Sequence, residues 1–390
     1  MTQYILRRLV QSLVLLVLVI GAVFLIFQVM PGDITTMMID PELPPEAREA
    51  VIERLGLDRP VHERFLIYLN GLAHLDLGAA FPTATFRGGR PVVEIIAERF
   101  PRTVLLFVVV VVINYVIGFA VGKRIAWRRG GIAELLPTAV GVVLHNVFTP
   151  VAGLVLLWLF ALKFGLFPFG GWQDFTRWRP FIERGLTSND VFVPMLGTAV
   201  FLVAWMLLLL RATQRMDRRS TRSVSRAVGA AAFTAGALWW WHRTALLPLA
   251  LDVLYHMTLP VVTLVGIGFA SPMLVMRDSM LETMRDDYVL TARAKGLRDR
   301  HVRDHHAARA ALLPIATSFA LAVALVVDGA VITETLFSWP GMGQALLRSV
   351  TEKNYPVTMG VVLAAGTAVL IAHLAVDLLY AVIDPRVRNA

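Results

Sequence analysis

The chain has 390 residues, 57% of them hydrophobic and only 17% charged, whereas a soluble domain carries about a quarter charged residues. The apolar residues gather in long uncharged runs, which excludes a single water-soluble core. The formal charge of +9 sits in short basic blocks between those runs, which points to membrane topology rather than a nucleic-acid face, and the absence of Cys excludes disulfides and thiolate metal sites.

A bilayer core needs about 20 apolar residues of helix to cross it, and runs of that order recur along the chain. The first, Leu9–Met30, follows Arg7 and Arg8. It is longer than the apolar region of a signal peptide and no small-residue cleavage pattern follows, so residues 1–30 are expected to stay as a first span with a cytoplasmic N-terminus. Residues 31–100 are expected outside, because acids such as Asp33, Glu42, Glu46, Glu49, Glu53 and Asp58 outnumber the bases there. Within them PPEAREAVIERLGL reads as a helix, opened by prolines suited to a first turn and closed near Gly56. The runs Thr103–Gly122 and Leu135–Leu162 then place core helices in 101–172, and Gly118 and Gly122, four apart, suit close helix packing. Residues 173–252 hold Val191–Leu210 and the shorter Ala227–Trp241. The latter spans if Arg226 snorkels and Trp239, Trp240 and Trp241 sit at the opposite interface. Val253–Met276, Ala310–Thr333 and Tyr355–Ile383 complete the core in 253–390, around a mixed-charge cytoplasmic segment, 277–311.

Charge placement decides the count. With the N-terminus inside, eight spans put Lys123, Arg124, Arg128 and Arg129, the block from Arg211 to Arg226, and the C-terminal Arg386 and Arg388 on one side. Seven would strand the C-terminal pair outside. The expected architecture is therefore an all-α, polytopic transmembrane helical bundle with both termini cytoplasmic. Membrane lipid is its surroundings, and the Arg-rich hairpin 211–226 is expected to meet anionic headgroups.

A search for chemistry returns little. No glycine-rich phosphate loop exists: Gly122 and Lys123 are followed by Arg124 and lack the upstream Gly. His301 and His305 have helical ligand spacing but no supporting carboxylate, and read as a solvated face. No nucleophile elbow, zincin motif or paired-carboxylate motif is present, so the chain does not read as an enzyme. Asp328 and Asp377 lie inside apolar runs, where a carboxylate is expensive. Asp377 reads as a packing residue. Asp328 stays open between packing and a pathway role, and as a proton site it would suit a self-contained proton-coupled secondary transporter. Asn114, His145 and Asn146 are equally open.

The segment MLETMRDDYVLTARAKGLRDRHVRDHHAARAALLPI resembles the coupling loop of the dipeptide/oligopeptide/nickel permease family of ATP-binding-cassette importers. The match runs through Tyr288, Thr291, Ala292, Ala294, Lys295, Gly296 and Leu297, then His306, Arg309, Leu312, Leu313 and Pro314. Where the wider superfamily has Glu-Ala-Ala, this chain has Leu290, Thr291 and Ala292. Gly296 suits a tight reversal after a helix. Further matches are Pro31, Gly32 and Asp33; Leu55 to Pro60; Asp76 to Gly78; ETLFSWPGMG from Glu334 to Gly343; Asn354 to Pro356; and Asp377 to Arg388. They cover roughly 1–172 and 253–390 and are closest to the first of two paired permeases. Residues 173–252 look like an extra two-helix insertion in a six-span family, and Asp328 replaces a usually small residue.

The resemblance implies a type I importer permease in a bacterial inner membrane. Its partners would be a second permease, two ATPase subunits that bind ATP and magnesium, and an extracytoplasmic solute-binding protein. This chain would itself hold no cofactor and no nucleic acid. Di- or oligopeptides are the expected cargo, with nickel complexes, glutathione and oligosaccharides the alternatives carried by relatives.

Overall fold

The computed structural model describes residues 2–29, 44–55, 59–128, 130–213, 219–325 and 331–383. Pro31 to Asp33, Gly56 to Asp58, Asp328 and the C-terminal Arg pair lie outside them, as does the side chain of Asp377. Among the described residues the only β-pairing is one isolated bridge, Ala79 to Pro91, so the chain is all-α. It divides into two compact units: Met1–Leu156 with Pro260–Ala390, and Leu157–Leu259. The expected insertion, 173–252, falls inside the second unit.

The first unit is built on one long helix. After α1 (Thr2–Val29), α2 (Pro45–Leu55) and α3 (Val61–Ala73) comes α4, Val92–Trp127, of 36 residues. Pro91 precedes it and Glu94 lies in its first turn, both suited to a helix start. Its buried residues Leu106, Val110, Asn114, Gly118 and Gly122 are spaced by four, which draws one ridge along the helix. That ridge meets α11 (Ala270–Thr283). A Cβ on Gly118 would stand 2.8 Å from the backbone N of Met273, and one on Gly122 2.5 Å from its backbone O. Only glycine lets the two backbones come this close.

The other helices of this unit close around that pair. They are α5 (Ile132–His145), α6 (Thr149–Leu156), α14 (Leu312–Leu325) and α17 (Tyr355–Ile383), with α1 packed along α17. At one end α16 (Met342–Thr351) packs on α4 and α17 around Phe86, Val92, Ile95, Met342 and Val361, and α15 (Val331–Leu336) packs on α16 and α6. The Asn354 amide locks the preceding loop there, accepting from Phe81 N at 3.2 Å and donating to Phe81 O at 3.0 Å.

In the second unit, α8 (Asn189–Thr213) and α9 (Arg219–Arg243) form a hairpin. Beside it Asp252 on α10 (Leu247–Gly268) is 1% exposed and accepts from Trp178 Nε1 (2.9 Å) and Asp174 N (2.8 Å). Those donors bracket the start of α7 (Phe175–Ile182), and Trp172 stacks edge-on against Trp178. A buried carboxylate costs little when it is hydrogen-bonded in this way.

Among the described residues five helical stretches are long and apolar enough to cross a membrane: Leu6–Gln28, Val92–Trp127, Asn189–Thr213, Leu247–Thr283 (α10 running on into α11) and Tyr355–Val376. Two bent pairs raise the number to seven. The expected span Leu135–Leu162 is one of them: the chain turns by 100° between His145 and Thr149. Pro150 explains part of this, since it withholds the N–H that would bond the Asn146 carbonyl. The other pair, Asp299–Ala310 and Pro314–Val323, bends by 58°. Ala227–Trp241 lies in α9, a continuous helix whose composition falls short of a span.

Candidate functional site

The segment singled out by sequence folds as a short helix and a reversal, α12 (Asp287–Ala294), followed by α13 (Asp299–Ala310). Asp287 in the first turn of α12 and Arg293 in the last complement its dipole. Its inner side is Val289 (0% exposed) and Ala292 (5%), three apart on one face. They join Ala126, Met276, Met280, Val302, Ala307, Ala308 and Ile315 in one apolar cluster. Tyr288, Leu290 and Leu297 remain exposed on the outside, with Thr291, Ala294 and Lys295. A short helix thus uses two small side chains to sit on the bundle and leaves its larger apolar ones uncovered.

Gly296 ends α12 at φ +73°, with its N–H bonded to the Arg293 carbonyl at 2.9 Å. A Cβ there would meet nothing within 4 Å. The need for glycine is therefore conformational and owes nothing to crowding.

Two polar ties hold this segment to the last turns of α4, one on each side of the reversal. The Arg293 guanidinium lies 4.7 Å from the centre of the Trp127 ring. Asp304 pairs with Lys123 at 3.2 Å and accepts from Arg303 Nε at 2.9 Å. The Arg303 hydrogen bond, with help from Lys123, holds the Asp304 carboxyl at about 2, below the usual carboxylate range. On the same side Arg277 of α11 bonds Glu134 of α5 through Nε (3.0 Å) and a second nitrogen.

His306 is half-buried in a π-turn, Val302–Ala307, inside α13. Its ring meets that of His301 edge-on at 5.6 Å, while His301 and His305 stack at 4.4 Å. Among the described residues no group of three or more His, Cys, Asp or Glu is placed to hold a metal ion. The sequence marks Lys123 only as a topology charge and does not single out Asp304. Their pairing is a tertiary fact without local signal.

The motif from Glu334 to Gly343 forms a second constellation, at the opposite end of α4. Glu334 is fully buried, accepting from Thr103 Oγ1 (2.7 Å) and from Gln344 N (2.9 Å) in the first turn of α16. Thr103 Oγ1 in turn accepts from Met342 N at 2.8 Å, and Trp339 Nε1 donates to the Arg102 carbonyl at 3.2 Å. A Cβ on Gly341 would collide with Glu334 and Thr103, which accounts for the glycine in the motif. One helix, α4, thus carries the exposed short helix at one end and this buried clamp at the other.

The fold and these two constellations define a multi-pass helical membrane protein with no evident catalytic centre among the described residues. Residues 100–389 match the family described as binding-protein-dependent transport system inner membrane component, and residues 1–107 match the N-terminal part of such membrane components. The dipeptide transport system permease protein DppB of Escherichia coli K12 is 31% identical over 392 aligned residues, covering 100% of this chain and 99% of the relative. The oligopeptide transport system permease protein AppB of Bacillus subtilis is 27% identical, covering 99% of each. The di/tripeptide transport system permease protein DppB of Pseudomonas aeruginosa is 29% identical over 94% of this chain and 93% of the relative. The chain belongs to the binding-protein-dependent transport system inner membrane component family: it is a transport component of ATP-binding-cassette permease type.

Proposed function

We propose that this chain is one of two permeases of an ATP-driven importer for di- or oligopeptides in a bacterial inner membrane. The partners in this reading are a second permease, two ATPase subunits carrying ATP and magnesium, and an extracytoplasmic binding protein. Full-length similarity to three peptide permeases supports it. The observation that carries it is α12: small residues seated on the bundle, Tyr288, Leu290 and Leu297 exposed, and Gly296 at φ +73°. That is the shape of a knob offered to a soluble partner.

In the mechanism, ATP closes the ATPase pair and displaces α12, with its Thr291, Ala292 and Ala294, together with Lys295 and His306 beyond its end. Arg293–Trp127 and Asp304–Lys123 hand the displacement to α4. Because α4 is one continuous helix, the displacement is carried about 36 Å at 1.5 Å per residue from Trp127 to Thr103 and Arg102, which hold α15 and α16. Substrate crosses between the two permeases as access alternates.

The reading places both termini in the cytoplasm and counts eight spans. The hairpin supports the eighth. Thr198, Trp205 and Thr213 on α8 bond Trp241, Gly229 and Arg226 on α9, so the two run antiparallel over the same length. If α8 crosses the bilayer, α9 crosses with it. Labelling of single cysteines placed at Ser223 and Thr83 in intact cells tests this, with only the second expected to react from outside.

Uptake into proteoliposomes holding the full complex tests the function. Uptake that needs ATP and the binding protein is expected. Uptake driven by a proton gradient without ATP would replace this reading with a secondary transporter, in which Asp328 is the proton site.

A further inference from the structure

The route from α12 into the bundle crosses an irregular turn. Val302–Ala307 is a π-turn inside α13, and the Ala308 N–H reaches back five residues to the Arg303 carbonyl. The imidazole rings report the same widening. His301 meets both His305 (4.4 Å) and His306 (5.6 Å), four and five residues further on, whereas a regular helix brings only the first of these onto its face. Such turns are rare, break the regular ladder of backbone bonds, and recur at functional sites and kinks.

Both sides of the turn are seated. Before it, Val302 is fully buried with Val289 and Ala292 of α12. After it, Ala307, Ala308 and Ala311 are buried in the same cluster, and the Ala311 carbonyl accepts from Ser279 Oγ of α11 at 3.1 Å. Asp304, tied to Lys123 of α4, lies in the turn itself. A chain shorter by one residue would seat equally well. With His305 removed, Val302 and Ala307 would stand four apart, on one face of an ordinary α-helix. The bond from Ala308 to Arg303 would become a regular i to i−4 bond, and Asp304 would keep its place two residues after Val302. Packing therefore does not require the extra residue, yet that residue interrupts the helix where α12 is joined to α14.

We infer that this π-turn is a joint. It lets α12 and the start of α13 shift, acting on α4 through Asp304 and Lys123, while Ala311 and α14 stay seated on α11. An uninterrupted helix would carry the push straight into α14 and dissipate it among several helices. The inference rests on the transport function proposed above.

The test uses the full complex in proteoliposomes, with uptake and ATP hydrolysis read on the same vesicles. Deletion of His305 is expected to leave assembly with the ATPases intact and the melting temperature at or above that of wild type. Uptake per ATP is expected to fall about tenfold, within the usual range of coupling energies. His305→Ala keeps the turn and removes only the ring, and is expected to match wild type in assembly, melting and uptake. Spin labels at Arg300 and Leu321, both exposed and on opposite sides of the turn, are expected to change their separation on nucleotide trapping in wild type and not in the deletion. Lost assembly or lowered melting in the deletion would make the turn a packing element and overturn the joint. Undiminished uptake per ATP, or a wild-type label separation that nucleotide leaves unchanged, would overturn it as well. A loss in His305→Ala equal to that of the deletion would transfer the role from the turn to the imidazole. Absence of ATP-dependent uptake in wild type would instead overturn the transport reading itself.

Discussion

Two helix pairs, one in each unit, pack through glycine, and they do so differently. In α4–α11 the glycines Gly118 and Gly122 face backbone atoms of Met273. In α8–α9 the space beside Gly229 is filled by the side-chain end of Leu209, and the pair adds hydrogen bonds from Trp205, Trp241 and Arg226. Backbone atoms cannot step aside, whereas a leucine can change rotamer. The first pair is held as one stiff piece, fitting the proposal that α4 receives the motion of the segment around α12. The second is a compliant hairpin, in which polar bonds support a helix too rich in Ala, Ser and Arg to bury itself by dispersion alone. Between helices in lipid, where hydrophobic drive is absent, close packing and polar bonds are the two means available.

The sharpest way to break that contrast is a pair of equal substitutions. Gly122→Ala puts a carbon 2.5 Å from the Met273 carbonyl oxygen and 2.7 Å from Met276 Cβ. Overpacking against backbone costs about 3 kcal/mol, so the purified complex is expected to melt well below wild type. Gly229→Ala is expected to cost under about 1 kcal/mol, because only Leu209 must turn. Equal melting temperatures for the two variants would show that the α4–α11 contact is no stiffer than the hairpin.

A second substitution separates strain from stability. Gly296→Val meets no neighbour but must hold φ near +73°, a strain of about 1–3 kcal/mol for a branched residue. The variant is expected to insert and pair normally and to lose ATPase docking, with uptake falling at least about tenfold. Co-purification of the ATPases and uptake are the two readings. Normal values for both would remove the coupling assignment.

The tie at Asp304 is expected to matter less. Asp304→Asn removes the charge that faces Lys123 and Arg303, and a partly exposed pair contributes little to stability. Uptake is expected to fall a few-fold at unchanged ATPase binding, and exchanging the charges (Lys123→Asp with Asp304→Lys) to recover part of it. Loss of assembly in the single variant would make the tie structural.

How much of this was legible in the sequence depends on how local the cause is. Gly296 was legible because a positive φ after a short helix is a one-residue requirement. The Gly118–Gly122 ridge was legible as spacing, though not its partner. The extent of α4 was not: the apolar run stops at Thr103, yet the helix begins at Val92. Its polar first turns are held by Arg102 and Arg90 on Glu98, at 2.6 and 2.8 Å, and by the clamp on Glu334. Hydropathy cannot see a helix supported by ion pairs. The 100° bend was written in Asn146 and Pro150, but a continuous apolar run masked it.

The smallest effect expected is at the hairpin's far end. Thr198 Oγ1 donates to the Pro194 carbonyl at 2.8 Å and accepts from Trp241 Nε1 at 3.3 Å. Pro194 lies inside α8 and withholds the N–H that the Asp190 carbonyl would accept, while the Thr198 hydroxyl bonds the carbonyl of Pro194 itself and joins the helix to α9. Thr198→Val keeps the shape and removes both bonds. Interhelical bonds of this kind average about 0.6 kcal/mol in membranes, and the Trp241 indole, only 6% exposed, is left without that acceptor. The sum is about 1 kcal/mol, seen as a shift of a few degrees in the melting of the detergent-purified complex. Uptake is expected to stay within twofold, because Thr198 and Trp241 are no part of the proposed coupling route. A large loss of uptake at near-normal stability would mean that the hairpin takes part in transport, and the contrast between a stiff, working helix pair and a compliant, supporting one would have to be abandoned.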